Sequence, residues 1–308
     1  MNTIKIGTRQ SQLALWQANH VRDSLLKLHP GLDVELVGIT SQGDKTLDVP
    51  LSQVGGKGLF LKELEEALLR GDIDFAVHSM KDVTVKLPPG LEIPVICERE
   101  DPTDALVSNK FASLDQMPGG SIVGSCSLRR RCIIRSKYPD LRVENLRGNV
   151  NTRLKRLDDD DYDALILASS GLKRLEMHDR IRQCLPVEEF LPAVGQGALG
   201  IECRIDDDNA HELIAPLDHK DTHVRVAAER SANAALEGGC HVPIAVYAQF
   251  EGEALWVRGL VGEPEGGKVL YTEIRGAAAN AEELGATIAE ELLKQGAGAI
   301  LSKVYAAS

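Results

Sequence analysis

Apolar and polar positions along the first hundred residues follow two different periods. Short apolar runs predict strands at residues 4–6, 34–39 and 75–77. Between them, apolar residues at helical spacing predict one helix that begins after the N-cap Ser11 and another over residues 58–69 that Gly71 ends. Strands that alternate with helices predict an α/β sheet with parallel strand pairs.

The same pattern begins again after residue 102. Four further strands are predicted, at residues 104–107, 121–124, 142–146 and 164–168. Helices are expected to follow from about Ser127 and Asn149. The Gly-rich segment 192–197 is expected to cross between domains, and the apolar run 199–203 to return to the first one.

The last third of the chain has a different order of predicted elements. Predicted strands at residues 244–250, 255–261 and 269–274 precede a final helix over residues 281–293, which indicates a small α+β domain. We therefore expect three domains: two α/β domains and this smaller one. Their expected bounds are residues 1–99 with 199–217, residues 100–198, and residues 218–308.

Composition narrows the class of protein. The chain has 308 residues, of which 43% are hydrophobic, and no apolar run reaches the length of a membrane span. The first residues do not form a signal peptide, so we expect a cytoplasmic protein. A net charge of −11 argues against binding of nucleic acid. The six cysteines have neither the pairing nor the His spacing of a metal site, so none is expected to bind metal.

Positive charge is concentrated in one segment. Residues 129–156 contain ten Lys and Arg residues and only two acidic ones. One basic segment in an acidic protein indicates either a binding site for an anionic ligand of limited size or a basic face exposed to solvent. Charge alone leaves both interpretations open.

Three loops share one design that favours the anionic ligand. Residues 8–11, 125–130 and 147–153 each carry hydroxyl or amide side chains and Arg between a short strand and a helix. Helix N-termini offer unpaired N–H groups, and guanidinium groups match carboxylates in shape. Loops at the carboxyl ends of strands in α/β sheets commonly bind ligands, so we predict an anion-binding cleft.

Three other features are candidates for chemistry. Asp82 follows the third strand and is either an acid–base group or the cap of a turn. Cys240 follows two glycines and is either an accessible thiol or a packed one. The long polar segment 42–58 is expected to be a lid over the cleft.

Together these segments resemble the porphobilinogen deaminase (hydroxymethylbilane synthase) family. The matching stretches occur in order along most of the chain: residues 7–11, 55–60, 76–82, 97–102, 127–130, 147–150, 192–197 and 237–240. The resemblance implies two domains like those of periplasmic binding proteins, followed by a third that carries a cysteine.

The resemblance also implies an activity and a cofactor. Members of this family join four porphobilinogen molecules head to tail with loss of ammonia, on a dipyrromethane cofactor bound to a cysteine by a thioether, and then release linear hydroxymethylbilane by hydrolysis. The family is expected to be a monomeric transferase of tetrapyrrole biosynthesis. A polyanionic chain of pyrroles explains the need for many guanidinium groups.

The family's functional residues fall on particular positions of this sequence. Asp82 is implied as the catalytic residue, and Cys240 as the attachment point of the cofactor. The other implied cofactor-binding residues are Lys81, Ser127, Arg129, Arg130, Arg147 and Gly148. The implied substrate-binding residues are Arg9, Ser11, Arg153, Arg174 and Gln196. Replacing Arg130 or Arg147 by Leu is accordingly expected to impair loading of the cofactor or chain growth rather than folding.

Two departures and two alternatives accompany this interpretation. Cys126 and Thr84 stand where the family pattern suggests Ser and Pro, which puts one cofactor contact and one turn in doubt. A non-enzymatic anion-binding protein would share the cleft but would need neither Asp82 nor Cys240. A hydrolase or transferase with a cysteine nucleophile would require a base near Cys240, and the adjacent His241 points the other way on an extended backbone.

Overall fold

The computed structural model of the chain describes residues 3–40, 61–239 and 242–306. They divide into two compact units. The first contains the described residues up to 100 together with 198–223, and the second contains 101–197 and the described residues from 224 onward. The three predicted domain boundaries stay a prediction.

The elements are labelled in chain order over the described residues. The strands are β1 (Ile4–Thr8), β2 (Val34–Gly38), β3 (Phe75–Ser79), β4 (Leu91–Ile96), β5 (Asp104–Val107), β6 (Ile122–Gly124), β7 (Arg142–Glu144), β8 (Ala164–Ala168), β9 (Gln183–Leu185), β10 (Leu199–Arg204), β11 (Ile244–Glu251), β12 (Ala254–Gly262) and β13 (Val269–Ala277). The helices are α1 (Gln12–Leu28), α2 (Lys62–Arg70), α3 (Leu128–Lys137), α4 (Val150–Asp158), α5 (Ser169–Arg174), α6 (Asp208–Ile214), α7 (Lys220–Ala235), α8 (Ala281–Lys294) and α9 (Ala297–Ala306).

The first unit is built on a five-stranded sheet with the order β2-β1-β3-β10-β4. The pairs β1–β2 and β1–β3 are parallel, whereas β10 is antiparallel to both β3 and β4. This pairing confirms that residues 199–203 return to the first sheet. The core contains Ile6, Phe75 and Ile201, all completely buried, and one face of α1 packs against it.

Local signals set the ends of the helices in this unit. Ser11 caps α1, because its side chain accepts a hydrogen bond from the backbone N–H of Ala14 at 3.3 Å. Gly71 ends α2 with φ of 73°, a left-handed conformation that glycine adopts without strain. Both features were predicted from the sequence and are confirmed.

The second unit contains a similar five-stranded sheet with the order β7-β6-β8-β5-β9. Its strands β6, β7 and β8 are parallel, and β5 runs antiparallel to β8 and β9. Because β6, β7 and β8 are parallel, the loops that follow them lie at one edge of the sheet. The predicted α/β class is confirmed, although both sheets are mixed rather than wholly parallel.

The C-terminal elements of this unit form an antiparallel sheet, β11-β12-β13, with α8 against one face. The helix approaches closely at Gly259, where a Cβ would lie 2.4 Å from a methyl carbon of Ile288. Tyr247 and Leu260 join the hydrophobic core formed with Cys132 and neighbouring residues of α3. The predicted small α+β architecture is confirmed.

Some elements were not predicted. Strand β4 contains Pro94, which argues against a strand when only the sequence is read. The helix that was expected to be the last one is followed by α9, which begins after Gly296 with φ of 106°. No helix in the described part of the chain is long and apolar enough to cross a membrane.

Candidate functional site

Asp82 lies at the carboxyl end of β3. A single 3-10 turn, Met80–Asp82, follows this strand, and Met80 is 2% exposed while Asp82 is exposed. The backbone N–H of Met80 donates to the carbonyl of Ala198 at 3.0 Å, which ties the turn to the chain just before β10. Lys81, between them, is half-buried.

The loop with Arg9 and Ser11 follows the neighbouring strand β1. Thr8 is 2% exposed, and its hydroxyl donates to the carbonyl of Ala14 at 3.1 Å, which holds the loop against α1. Because β1 and β3 are parallel, the loops that follow them are at the same edge of the sheet. The fold therefore brings two sequence-predicted groups together at this edge: Arg9 with Ser11, and Lys81 with Asp82.

In the second unit, Ser127 begins α3. Its hydroxyl accepts from the backbone N–H of Arg130 at 3.4 Å, as expected for an N-cap. Arg129 and Arg130, in the first turn of the helix, are only 3% and 6% exposed. The family resemblance implies both as cofactor-binding residues, and the structure turns their side chains into the protein.

Both of these arginines pair with Asp104, the first residue of β5. Arg129 Nη1 lies 2.7 Å from Asp104 Oδ2, and Arg130 Nη2 lies 2.6 Å from Oδ1. Burial alone would raise the pKa of this carboxyl, but the two guanidinium groups outweigh it and hold the pKa of Asp104 below its ordinary value. The trio carries one net positive charge, since two cations surround one anion.

Gln196, in the segment 192–197, and Arg174, on α5, make structural contacts in the same unit. Gln196 Nε2 donates to Asp104 Oδ1 at 3.1 Å and to the carbonyl of Pro102 at 2.7 Å. Arg174 Nη2, 7% exposed, donates to the carbonyl of Gly197 at 2.7 Å. Both side chains therefore have a structural part besides any contact with substrate.

The loop with Arg147, Gly148 and Arg153 leads into α4. Gly148 has φ of 109°, and its carbonyl accepts from Arg153 Nε at 2.7 Å. Arg153 Nη2 also lies 3.9 Å from the sulfur of Cys126, which links this loop to the one before α3. Arg147 and Arg153 are half-buried, so their guanidinium groups are more accessible than those of Arg129 and Arg130.

Parallel strands thus bring the predicted anion-binding groups of the second unit to one sheet edge. Ser127 follows β6, Arg147 and Gly148 follow β7, and Arg174 is on the helix after β8. Cys240, its neighbour His241 and the segment predicted as a lid, residues 42–58, lie outside the described residues. Within those residues, no group of three or more His, Cys, Asp or Glu could hold a metal ion.

The two departures from the family pattern have ordinary local surroundings. Cys126 is half-buried beside Arg153, and the hydroxyl of Thr84 donates to the carbonyl of Lys86 at 2.8 Å. Sequence reasoning missed Asp104, which was included only as the start of an apolar strand. The available signal was a charged residue that opens the run Ala105-Leu106-Val107.

Comparisons with known proteins identify two matching family models. Residues 4–212 match the model described as "Porphobilinogen deaminase, dipyromethane cofactor binding domain". Residues 223–294 match the one described as "Porphobilinogen deaminase, C-terminal domain". The two matches together cover nearly the whole chain.

Similar solved structures include two binding proteins and a periplasmic domain, all at low sequence identity. The methionine binding protein MetQ is 17% identical, with 74% of this chain and 94% of that chain covered and a TM-score of 0.45. The periplasmic VFT2 domain of Bordetella pertussis BvgS is 14% identical, with 70% and 93% covered and a TM-score of 0.40. A nutrient binding protein from Burkholderia cenocepacia bound to methionine is 15% identical, with 69% and 90% covered and a TM-score of 0.43.

Proposed function

Since the chain belongs to the porphobilinogen deaminase family, we propose that Asp82 is its main catalytic residue and that Cys240 carries its cofactor. The activity is that of a hydroxymethylbilane synthase, a transferase of tetrapyrrole biosynthesis. The enzyme joins four porphobilinogen molecules head to tail with loss of ammonia on a covalently bound dipyrromethane, and hydrolysis then frees hydroxymethylbilane.

The donor groups of the second unit fit a ligand with several carboxylates. Arg147 and Arg153 are half-buried cations at the start of α4, and Ser127 stands at the start of α3. The trio of Arg129, Arg130 and Asp104 adds a net positive charge behind Ser127. We propose that these cations, together with Lys81 and Gly148, hold the carboxylates of the cofactor.

Bound dipyrromethane supplies the nucleophilic pyrrole carbon on which the chain starts. Arg9, Ser11, Arg153, Arg174 and Gln196 are proposed to bind the acetate and propionate groups of the incoming substrate. Loss of ammonia from porphobilinogen creates a cation, which guanidinium groups would repel. The exposed carboxylate of Asp82 stabilises that cation and accepts hydrogen bonds from pyrrole N–H groups.

Three of the five described cysteines are poorly suited to carry the cofactor, which supports Cys240 against them. Cys97, Cys132 and Cys203 are buried. Burial raises the pKa of the Cys132 thiol to about 12, and burial with nearby carboxylates does the same for Cys203. Because the thiolate is the reacting form, these thiols are poor nucleophiles.

We also propose that the enzyme is a cytoplasmic monomer and that residues 218–308 act as a separate third domain carrying Cys240. The five described cysteines are free, which suits a reducing compartment. Light scattering of the purified enzyme at several concentrations tests the oligomeric state. A mass that rises with concentration would contradict the monomer.

The match to the cofactor-binding family model is the observation that carries the function. The test is the intact mass of purified enzyme, followed by peptide mapping. We expect one adduct with the mass of two linked pyrroles on the Cys240 peptide, together with a positive colour reaction for pyrroles. Cys240→Ser should abolish the adduct, whereas Cys184→Ser, which changes an exposed thiol, should retain it. Active enzyme with an unmodified Cys240 peptide would contradict the assignment.

A further inference from the structure

We propose that the buried, hydrogen-bonded pair of His78 and Glu202 is a positioning element for Asp82. In this view, the pair holds the end of β3, from which the turn Met80–Asp82 extends into the site. The proposal rests on the proposed catalytic role of Asp82. It adds two residues of the first unit that do not themselves touch substrate.

The pair joins two adjacent strands on one face of the sheet. His78 Nε2 lies 2.7 Å from Glu202 Oε2, and the two residues are 5% and 1% exposed. Strands β3 and β10 are antiparallel, with His78 opposite Gly200 and Glu202 opposite Ala76. Positions two residues apart on a strand share a face, so the side chains of His78 and Glu202 are diagonal neighbours.

Moving the side chains of His78 and Glu202 apart is energetically unfavourable. Glu202 Oε1 is buried and has no hydrogen-bond partner among the described residues, so His78 is the main compensation for this carboxylate. A buried polar pair adds little net stability compared with apolar side chains of similar size. Separating the partners of a buried polar pair is unfavourable, because it leaves buried donor and acceptor atoms without a hydrogen bond. Such a pair therefore determines placement more than it determines overall stability.

The two residues that follow His78, Ser79 and Met80, are also anchored. The hydroxyl of Ser79 accepts from Gln17 Nε2 at 2.7 Å. Met80 packs over Gly200 so closely that a Cβ there would lie 2.3 Å from the Met80 sulfur. The chain is thus fixed at positions 78, 79 and 80, and only then becomes accessible at Lys81 and Asp82. His78 and Glu202 supply the buried polar anchor of this series.

A third ionisable group faces the pair from α2. Burial, with the carboxylate of Glu202, raises the pKa of Glu65 to about 7, while His78 opposes the shift. Near neutral pH, Glu65 is therefore partly protonated and adds only part of a second negative charge.

The test is a double-mutant cycle on the loaded holoenzyme with porphobilinogen as substrate. We expect His78→Gln and Glu202→Gln each to lower kcat at least about tenfold, since displacement of a catalytic group by 1 Å is enough for such a loss. The KM for porphobilinogen should stay within about threefold, because groups that bind the carboxylates are untouched. In an Asp82→Asn background, His78→Gln should lower kcat by less than about twofold, because His78 acts through Asp82.

The matched control is His223→Gln. His223 and Asp218 form another His–carboxylate pair at 2.7 Å in the first unit, and neither residue has a part in the proposed site. This variant should keep kcat. If Glu202→Gln does not fold, Glu202→Asp, which keeps the charge but withdraws the oxygen from His78, should still lower kcat about fivefold or more.

Two results would overturn the proposal. One is a normal kcat in folded, cofactor-loaded His78→Gln or Glu202→Asp, with only the melting temperature lowered. The other is an equal loss from His78→Gln with and without Asp82. Near-normal activity of Asp82→Asn alone would instead refute the proposed function of Asp82, so the two failures are distinguishable.

Discussion

Arg130 donates two hydrogen bonds to a single oxygen of Asp104, from Nε at 3.1 Å and from Nη2 at 2.6 Å. Its Nη1 donates to the carbonyl of Ile166 at 2.8 Å, so the guanidinium is engaged on three sides. The residue that the sequence indicates as a ligand-binding fork is therefore also part of the core of its unit. Replacing Arg130 or Asp104 should therefore change the stability of the protein as well as its binding of the cofactor.

Asp104→Asn is expected to destabilise the protein. The change removes the buried anion and leaves the charges of Arg129 and Arg130 uncompensated, at a cost of about 3 kcal/mol in the free energy of unfolding. Urea denaturation measures it. Asp158→Asn, which breaks an exposed pair with Arg180, is the control and should cost less than about 1 kcal/mol. Equal effects of the two changes would show that the Asp104 carboxylate is not needed to compensate the buried charges of Arg129 and Arg130.

Arg147→Leu and Arg130→Leu are expected to differ. Arg147 is half-buried on the loop before α4, so its loss should impair cofactor loading, by about 1.5–3 kcal/mol for a charged hydrogen bond, with little change in melting temperature. Arg130→Leu should also lower the melting temperature, because it leaves buried Asp104 with one partner fewer. This revises the expectation from the sequence that Arg130→Leu would spare the fold.

The control for both arginine variants is Arg142→Leu. Arg142 belongs to the same basic segment but is 63% exposed and pairs with Glu144. It should leave both cofactor loading, measured by intact mass, and melting temperature nearly unchanged. Loss of loading in Arg142→Leu would favour a diffuse effect of positive charge over specific binding by Arg147.

Asp82→Asn is expected to lower kcat by roughly 100-fold or more, because it keeps the size and a hydrogen-bond acceptor but removes the anion that stabilises the substrate cation. Stability should hold, since the side chain is exposed. Steady-state kinetics and a thermal melt measure the two effects. Asp23→Asn, an exposed change on α1, should keep full activity. A rate above about a tenth of the original would make Asp82 a minor contributor.

Glu65→Gln is expected to change the pH dependence of stability. Burial and the carboxylate of Glu202 raise the pKa of Glu65 in the folded protein to about 7, above its ordinary value. The stability that the protonated group contributes is complete below its unfolded pKa and is lost as the pH rises through the folded pKa. The free energy of unfolding of the variant should therefore rise relative to that of the original enzyme as the pH increases from about 5 to about 8. The expected rise is about 1 kcal/mol after solvent screening.

The measurement for Glu65 is urea unfolding at both pH values. Glu66→Gln, which removes an exposed carboxylate from the next position of α2, is the matched control and should show no comparable gain. A difference between Glu65→Gln and the original enzyme that is the same at both pH values would contradict the raised pKa.

Sequence alone determined the features that depend on neighbours within a few residues. The caps Ser11, Ser127 and Asn149 were all predicted as helix starts, and each accepts a hydrogen bond from the N–H three residues later. The stop at Gly71 was predicted for the same reason, because a left-handed residue is a local requirement. Recognition of the family also came from the sequence, since its motifs are contiguous.

Only the tertiary structure decided which distant groups share a buried environment. Asp104 precedes Arg129 and Arg130 by about 25 positions, and His78 precedes Glu202 by 124. Nothing local marks these pairs, because each forms only after strand order and direction have been set. A buried charge pairs with whichever group the fold brings within hydrogen-bond distance, and here Arg129 and Arg130, proposed to bind the cofactor, also pair with Asp104 inside their unit.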